Sequence, residues 1–137
     1  MIDYAVYEAE TGRIVQTGLT IEAELNLVLT GWGDGYAIYA GVADRSTDYM
    51  VDGEPVVRPA QATAIDKTAI AADGVDQATI SGAPADSDLT AVNLTTGDAV
   101  SGPINEIGQF ATAIAGTILL TVSKWPYLDW SATVEAV

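Results

Sequence analysis

The second half of the chain consists of short runs of β-forming residues that are separated at regular intervals by turn-forming residues. Glycine, proline and aspartate mark the breaks, as at Asp73-Gly74, Gly102-Pro103, Gly108 and Gly116. Short strands with this punctuation are typical of antiparallel β-sandwiches. The pattern therefore predicts a small sandwich over residues 67–137, with strands at 68–71, 78–81, 90–94, 109–113, 117–123 and 131–137.

The chain contains no cysteine and no histidine. We expect the sandwich to be immunoglobulin-like in architecture, but without the cysteine pair that joins the two sheets of antibody domains. The same composition excludes thiol nucleophiles, a Ser-His-Asp triad and imidazole-ligated zinc. No motif combines the remaining carboxylates, hydroxyls and cations into a recognisable site, so we expect no enzymatic activity and no cofactor.

The first 58 residues predict a separate small β module. Ile2, Tyr4 and Val6 alternate with other residues in the period of a half-buried strand, and a turn ending at Gly12 precedes the return strand of a hairpin. A second hairpin is predicted around Asp52-Gly53, which lies between two apolar runs. Residues 21–29 fit either a short helix, with Thr20 as its cap, or a strand; we favour the helix.

The aromatic residues fall into two blocks, one in the first 50 residues and one in the last 28. Since aromatic side chains dominate core energetics, two blocks suggest two cores. The segment between them has no strong periodicity and begins with Arg58, which the following proline holds extended. We therefore predict domains at residues 1–58 and 67–137, joined by a linker at 59–66. Because the first domain is small, we expect a homo-oligomer.

The formal net charge of the chain is −14 at pH 7. Binding to nucleic acid or to anionic membranes depends largely on lysine and arginine, so neither is an expected partner. The N-terminus has no basic region followed by an apolar one, and no apolar run is long enough to span a bilayer. We expect a protein that is soluble and carries no targeting address.

Two groups of residues are candidates for a site. Asp73, Asp76, Asp86 and Asp88 lie in acidic turns that could supply oxygen ligands to calcium, although aspartate is also what tight turns require. We favour the turn interpretation and predict no metal site. The second group is aromatic and predicts a protein interface, because tyrosine and tryptophan are favoured at such surfaces; its members are Tyr36, Tyr39, Tyr49, Trp125, Tyr127 and Trp130.

The aromatic cluster at 125–130 has two interpretations. If exposed, its rings could stack on sugars or anchor a protein partner. If buried, they would close one end of the sandwich where the chain passes between its last two strands. We favour the buried interpretation. Tyr36 and Tyr39 lie three residues apart, which places them on opposite faces of a strand.

Several stretches resemble accessory structural proteins of tailed bacteriophages. Residues 4–18 (YAVYEAETGRIVQTG) and 48–59 (DYMVDGEPVVRP) are similar to a small N-terminal module of those proteins. Residues 73–84 (DGVDQATISGAP) and 125–130 (WPYLDW) resemble the opening and closing strands of the β-sandwich that often follows. The resemblance rests on turns and strand patterns, and it covers most of the chain apart from residues 22–33 and 86–108.

The resemblance implies a non-enzymatic virion component that is made in the host cytoplasm and lies on the exterior of the particle. We favour a position at the tail tip or tail fibres, with other virion proteins as partners and a host-surface glycan as a further candidate. A capsid decoration protein on the head is the alternative within this class. A carbohydrate-binding module, with its platform at residues 125–130, is the alternative from a different class.

Overall fold

The computed structural model describes all residues 1–137, which separate into two compact units, Met1–Arg58 and Pro59–Val137. The protein is mainly β, with several antiparallel sheets and one short α-helix, as predicted. No helix has the length and apolar character that crossing a membrane would require.

The first unit is built on a three-stranded antiparallel sheet. Its strands are β1 (Ile2–Glu8), β2 (Ile14–Thr20) and β3 (Tyr36–Ala40), and β1 lies in the centre. The turn between β1 and β2 ends at Gly12, whose φ of 76° is a conformation that glycine adopts without steric cost. The hairpin predicted from this turn is therefore confirmed.

The segment between β2 and β3 is helical. A single 3-10 turn (Glu22–Glu24) leads into α1 (Leu25–Thr30), which agrees with the helix favoured for residues 21–29. The prediction of Thr20 as the helix cap is wrong, because Thr20 is a buried residue of β2 that pairs with Ile2 of β1. Strand pairing thus continues through the position where the sequence suggested a helix start.

The second hairpin forms as predicted, from β4 (Asp48–Val51) and β5 (Glu54–Val57). Asp52 and Gly53 have φ values of 52° and 80°, and two consecutive positive φ angles are the requirement of a tight type I′ turn. Met50 of this hairpin is buried in a core with Ala5 and Ile14 of the sheet. The hairpin therefore covers the face of β1 that bears Ala5.

The opposite face of β1 bears Val6, which is also fully buried. Gln16 lies opposite Val6 in the register, and its side chain accepts a hydrogen bond from Trp32, directly after α1. The helical segment thus lies on the Val6 side of the sheet. The central strand is covered on both faces, although its alternation predicted a half-buried strand.

The second unit contains two sheets packed face to face as a β-sandwich. One has five strands in the order β10-β9-β12-β13-β7 and the other has three in the order β11-β8-β6. All pairings are antiparallel except the parallel pair of β7 with β13. The strands are β6 (Ala64–Ile65), β7 (Ala69–Ile70), β8 (Ala78–Ser81), β9 (Ser87–Asn93), β10 (Ala99–Ile104), β11 (Ile107–Phe110), β12 (Gly116–Ser123) and β13 (Trp130–Ala136).

Alternate residues of both sheets form the core of the sandwich. Leu120 and Val134 from the larger sheet and Ile80 from the smaller one are fully buried and belong to one cluster. Burial on every second residue is the expected result when two sheets each turn one face toward the other.

The segment 59–66, predicted as a linker, is instead part of the second unit. Its last two residues before Asp66 form β6, which pairs with β8. The Gln61 side chain donates through Nε2 to the main-chain oxygens of Val122 (2.8 Å) and Leu128 (3.0 Å). The sequence missed these contacts because the partners lie more than 60 residues away.

Strand β10 was not predicted, and the Gly102-Pro103 pair, interpreted as a turn, lies within it. Proline is compatible with this strand because β10 is at the edge of its sheet and needs no outward ladder hydrogen bond. Gly108 and Gly116, also interpreted as breaks, lie inside β11 and at the start of β12. The predicted strand at 109–113 correspondingly lies at 107–110.

Candidate functional site

The three tyrosines predicted as interface anchors in the first unit are all half-buried. Tyr36 contacts the Trp32 ring, with 5.2 Å between ring centroids, and Tyr39 packs against the core formed by Ala5 and Met50. The two tyrosines therefore lie on opposite faces of β3, as their spacing predicted. Tyr49 lies on β4, opposite Val56.

The aromatic cluster at 125–130 connects β12 to β13, which is the path that the buried interpretation required. Trp125, Tyr127 and Trp130 are each half-buried, and Trp130 packs against the core of the sandwich. Trp130 is also the first residue of β13 and pairs with Val122. The cluster therefore contributes to the end of the sandwich and is not a fully exposed platform.

Two of the four calcium candidates have protein partners for their carboxylates. Asp73 Oδ1 accepts the N–H groups of Asp76 (2.9 Å) and Val75 (2.8 Å), and these two bonds hold the pKa of Asp73 below its usual value. Asp76 accepts from Lys67 Nζ and from the N–H of Ala71, both at 2.9 Å, and these bonds lower its pKa. Asp73 thus stabilises the bend that follows it, whereas Asp76 connects this bend to Lys67 and Ala71.

The other two candidates lie beside the start of β9. The N–H of Asp86 donates to the Asn105 side chain at 3.4 Å, and Asp86 has a positive φ of 56°. Asp88 is an exposed residue of β9 that lies between Pro103 and Ser123 in the sheet. The structure contains no group of three or more acidic residues arranged to hold a metal ion.

The strongest candidate for a functional surface is one side of the sandwich that neither sheet closes. Val100 of β10 pairs with the buried Ala91 of β9, so Val100 faces the inside of the sandwich. Because side chains alternate along a strand, Gly102 and Ile104 lie on the same inner face of β10. Ile104 is buried, but Val100 is 67% exposed. At the opposite edge of the same sheet, the inner residue Ile70 is only 2% exposed. The sandwich is therefore closed at β7 and open at β10.

The difference in strand number explains the opening. The five-stranded sheet extends to β10, whereas the three-stranded sheet ends at β11 and provides no strand to face Val100 and Gly102. A Cβ atom added at Gly102 would meet no atom within 4 Å. We call this surface, between β10 and β11, the open side.

The open side contains an apolar groove. Two adjoining hollows, of about 200 Å³ and 230 Å³, share Ala91, Val100 and Phe110 in their walls. The first continues to Ile114 and the second continues to Leu89. Phe110 lies on β11 and packs against the core, so its ring forms the boundary between the core and the groove.

Strand β11 presents a free edge along this groove. It pairs with β8 on one side and has no neighbouring strand on the other, where only the N–H of Ile107 is already bound, to the oxygen of Asn105 at 2.8 Å. Such an edge exposes N–H and C=O groups that a further strand can bind. The edge carries neither charge nor proline, since its residues are Ile107, Gly108, Gln109 and Phe110.

The surroundings of the groove are acidic. Asp98 lies in the wall of the first hollow, and Glu106 directly precedes β11 in the sequence. Neither hollow has a lysine or arginine in its wall. The whole second unit has nine aspartates and glutamates against two lysines, one of which, Lys67, is paired with Asp76.

Sequence reasoning did not find the open side. The predicted interface residues were all tyrosines and tryptophans and did not include Phe110. The Gly102-Pro103 pair of β10 was interpreted as a turn and not as part of a strand. The signal that could have indicated this strand was Pro103 itself, because a proline within a strand occurs mainly at the edge of a sheet.

No family model matches the chain, and no match was found among curated proteins or solved structures.

Proposed function

We propose that the protein is a non-enzymatic structural component of a tailed-phage virion, located at the tail tip or tail fibres, and that it acts by docking on another protein. The virion context is supported by the sequence resemblance at residues 4–18, 48–59, 73–84 and 125–130. The docking mechanism is supported by the open side of the sandwich.

The open side supports docking because it leaves apolar residues of the inner sheet face in contact with water. Val100 faces inward but is 67% exposed, and the groove beside it is lined by Ala91, Phe110 and Ile114. Contiguous apolar surface on a soluble protein marks interaction sites more often than chance. Covering it would remove that surface from water, which is the main favourable term in association.

We also infer an immunoglobulin-like architecture for the sandwich. Constant-type immunoglobulin domains place their first, second and fifth strands in one sheet, with the fourth strand at its edge. The order β6-β8-β11 fits the first three of these positions, and the facing neighbours β9, β12 and β13 fit the other sheet. On this assignment, the open side is the place of the missing fourth strand.

The virion proposal is tested by labelling purified particles of the virus that encodes the chain. Antibody raised against the recombinant protein is bound to intact particles and located by immunogold electron microscopy. Label at the tail supports the proposal. Regular label over the head replaces the tail position with capsid decoration, and particles that carry no label and no peptide of the chain by mass spectrometry contradict a virion role.

A further inference from the structure

We propose that the open side of the sandwich binds an extended, basic segment of a partner protein, which adds to the three-stranded sheet as a fourth strand against β11. This inference deepens the docking function proposed above and rests on it. It identifies the surface, the binding mode and the chemistry of the partner.

The binding mode follows from the two edges beside the groove. Strand β10 contains Pro103, which has no N–H to donate, so its outer edge is a poor template for a further strand. The β11 edge from Ile107 to Phe110 contains no proline. A strand added there would lie over the inner face of β10, where Val100 and Gly102 have no cover from the opposite sheet.

The length and pattern of the partner segment follow from the same geometry. Strand β10 has six residues and β11 has four, so the groove accepts about four to six residues of extended chain, or roughly 13–20 Å. Successive side chains of a strand point to opposite faces. The segment therefore carries apolar residues at every second position, which contact Val100, Phe110 and Leu89.

The charge of the partner follows from the acidic surroundings. Asp98 lies in the wall of the first hollow, neither wall contains a cation, and the second unit has nine acidic residues against two lysines. A lysine or arginine at the end of the segment near Asp98 would be attracted by that carboxylate, a second cation would be favoured by the net negative charge of the unit, and an acidic segment would be repelled. The same argument disfavours a second copy of this chain, because each copy has a net charge of −14.

The probe for the test is a synthetic peptide with three valines at alternate positions, threonines between them and a lysine at each end. It is titrated into the ¹⁵N-labelled full chain and followed by NMR. The expected result is a set of shifts concentrated at Ile107–Phe110 and at Val100. Binding should weaken as salt is added, because its charged contacts are at the surface.

Two control peptides separate the parts of the proposal. One replaces both lysines with glutamates and should bind more weakly. The other carries N-methyl groups on alternate amides, which block main-chain pairing but keep the side chains, and it should not bind. Equal binding of all three peptides, or shifts outside the open side, would overturn the proposed mode.

Matched variants of the protein locate the site. Val100→Asp places a carboxylate in the groove at a position that is already 67% exposed, so folding should be retained. It should weaken binding of the basic peptide by about tenfold or more, since apolar burial at that position is lost. Val75→Asp is the control, because Val75 is 78% exposed and lines neither hollow. An equal effect of both variants would contradict the assignment.

Assembly of the two variants into particles distinguishes this inference from the virion proposal. If the Val100→Asp protein is absent from particles and the Val75→Asp protein is present, the result supports both the virion role and the groove inference. If both variants are incorporated normally and the basic peptide does not bind, the virion role stands and the groove inference is wrong. If the wild-type chain is absent from particles, the virion role is wrong. A dimer in sedimentation that Val100→Asp dissociates would assign the groove to a second copy and overturn the proposal.

Discussion

Gly12 lies where the turn between β1 and β2 meets strand β4, and its replacement by alanine is expected to destabilise the first unit severely. Its φ is 76°, and an added Cβ would lie 2.1 Å from the main-chain oxygen of Met50. That separation is far shorter than an ordinary contact. The Cβ position is fixed by the Gly12 backbone and the oxygen of Met50 belongs to the main chain, so no side-chain rotation can relieve the clash.

Gly53 provides a matched control in the same unit. Its φ is 80°, close to that of Gly12, but an added Cβ there would meet no atom within 4 Å. Gly53→Ala should therefore cost only the left-handed backbone conformation, about 1–2 kcal/mol. The difference between the two variants isolates the close approach of Gly12 to β4.

The expected cost of Gly12→Ala is larger because the hairpin must move. The Gly12 oxygen accepts the N–H of Met50 at 2.8 Å, and Met50 is buried against Ala5 and Ile14. Moving β4 loses that hydrogen bond, about 1 kcal/mol, and opens the core beside it. With the backbone conformation included, we expect roughly 3–4 kcal/mol of destabilisation. A unit of this size has a total stability of roughly 3–9 kcal/mol, so the substitution should remove between about a third of that stability and all of it.

Hydrogen exchange with mass spectrometry is the appropriate assay, because it reports peptides of Met1–Arg58 separately from those of Pro59–Val137. We expect protection of β1 and β4 to fall strongly in Gly12→Ala and only slightly in Gly53→Ala, with the second unit unchanged. If the two variants lose the same protection, the contact between Gly12 and β4 does not contribute as argued.

Three further predictions concern the second unit. Gln61→Ala should lower the free energy of unfolding of this unit by about 1–3 kcal/mol, because the two carbonyl groups bound by Nε2 lose their partner. Gln77→Ala, at an exposed position, is the control and should change that free energy little when both variants are unfolded in urea. Asn93→Ala should lower the free energy of unfolding by a similar amount, because the buried Asn93 side chain accepts two N–H groups of the following turn at 2.9 Å and 3.1 Å. An unchanged midpoint of urea denaturation would contradict this prediction. The pKa of Asp76 is lowered by Lys67, so its carboxylate stabilises the folded state above the unfolded pKa and loses that effect as pH falls. In urea denaturation measured at several pH values, the difference in free energy of unfolding between wild type and Asp76→Asn should therefore shrink below about pH 4. A difference that grows as the pH falls would contradict the predicted direction of the pKa shift.

Features that depend on neighbouring residues were predictable from the sequence. The Asp52-Gly53 hairpin formed as expected, because both residues adopt the positive φ that its turn requires. The buried positions of β12, including Ile118 and Leu120, follow the alternation of its sequence. The opposite faces of Tyr36 and Tyr39 follow from the same two-residue period.

Features that depend on distant partners were decided only by the tertiary structure. The period of β1 identified a strand, but its burial on both faces required the hairpin and the helical segment to pack on it. Gln61 gained its role from carbonyls more than 60 residues away. Strand β10 exists because β9 pairs with it, despite its proline.

The open side illustrates the same division. The local sequence around Val100 or Phe110 does not predict how many strands each sheet contains, because the number of strands depends on pairing between distant segments. The composition determined that the protein would be acidic and free of thiol and imidazole chemistry, and the regular spacing of its turn-forming residues indicated short strands. The assembly of those strands into unequal sheets left one side uncovered, since the inner face of a strand is buried only where the opposite sheet extends over it.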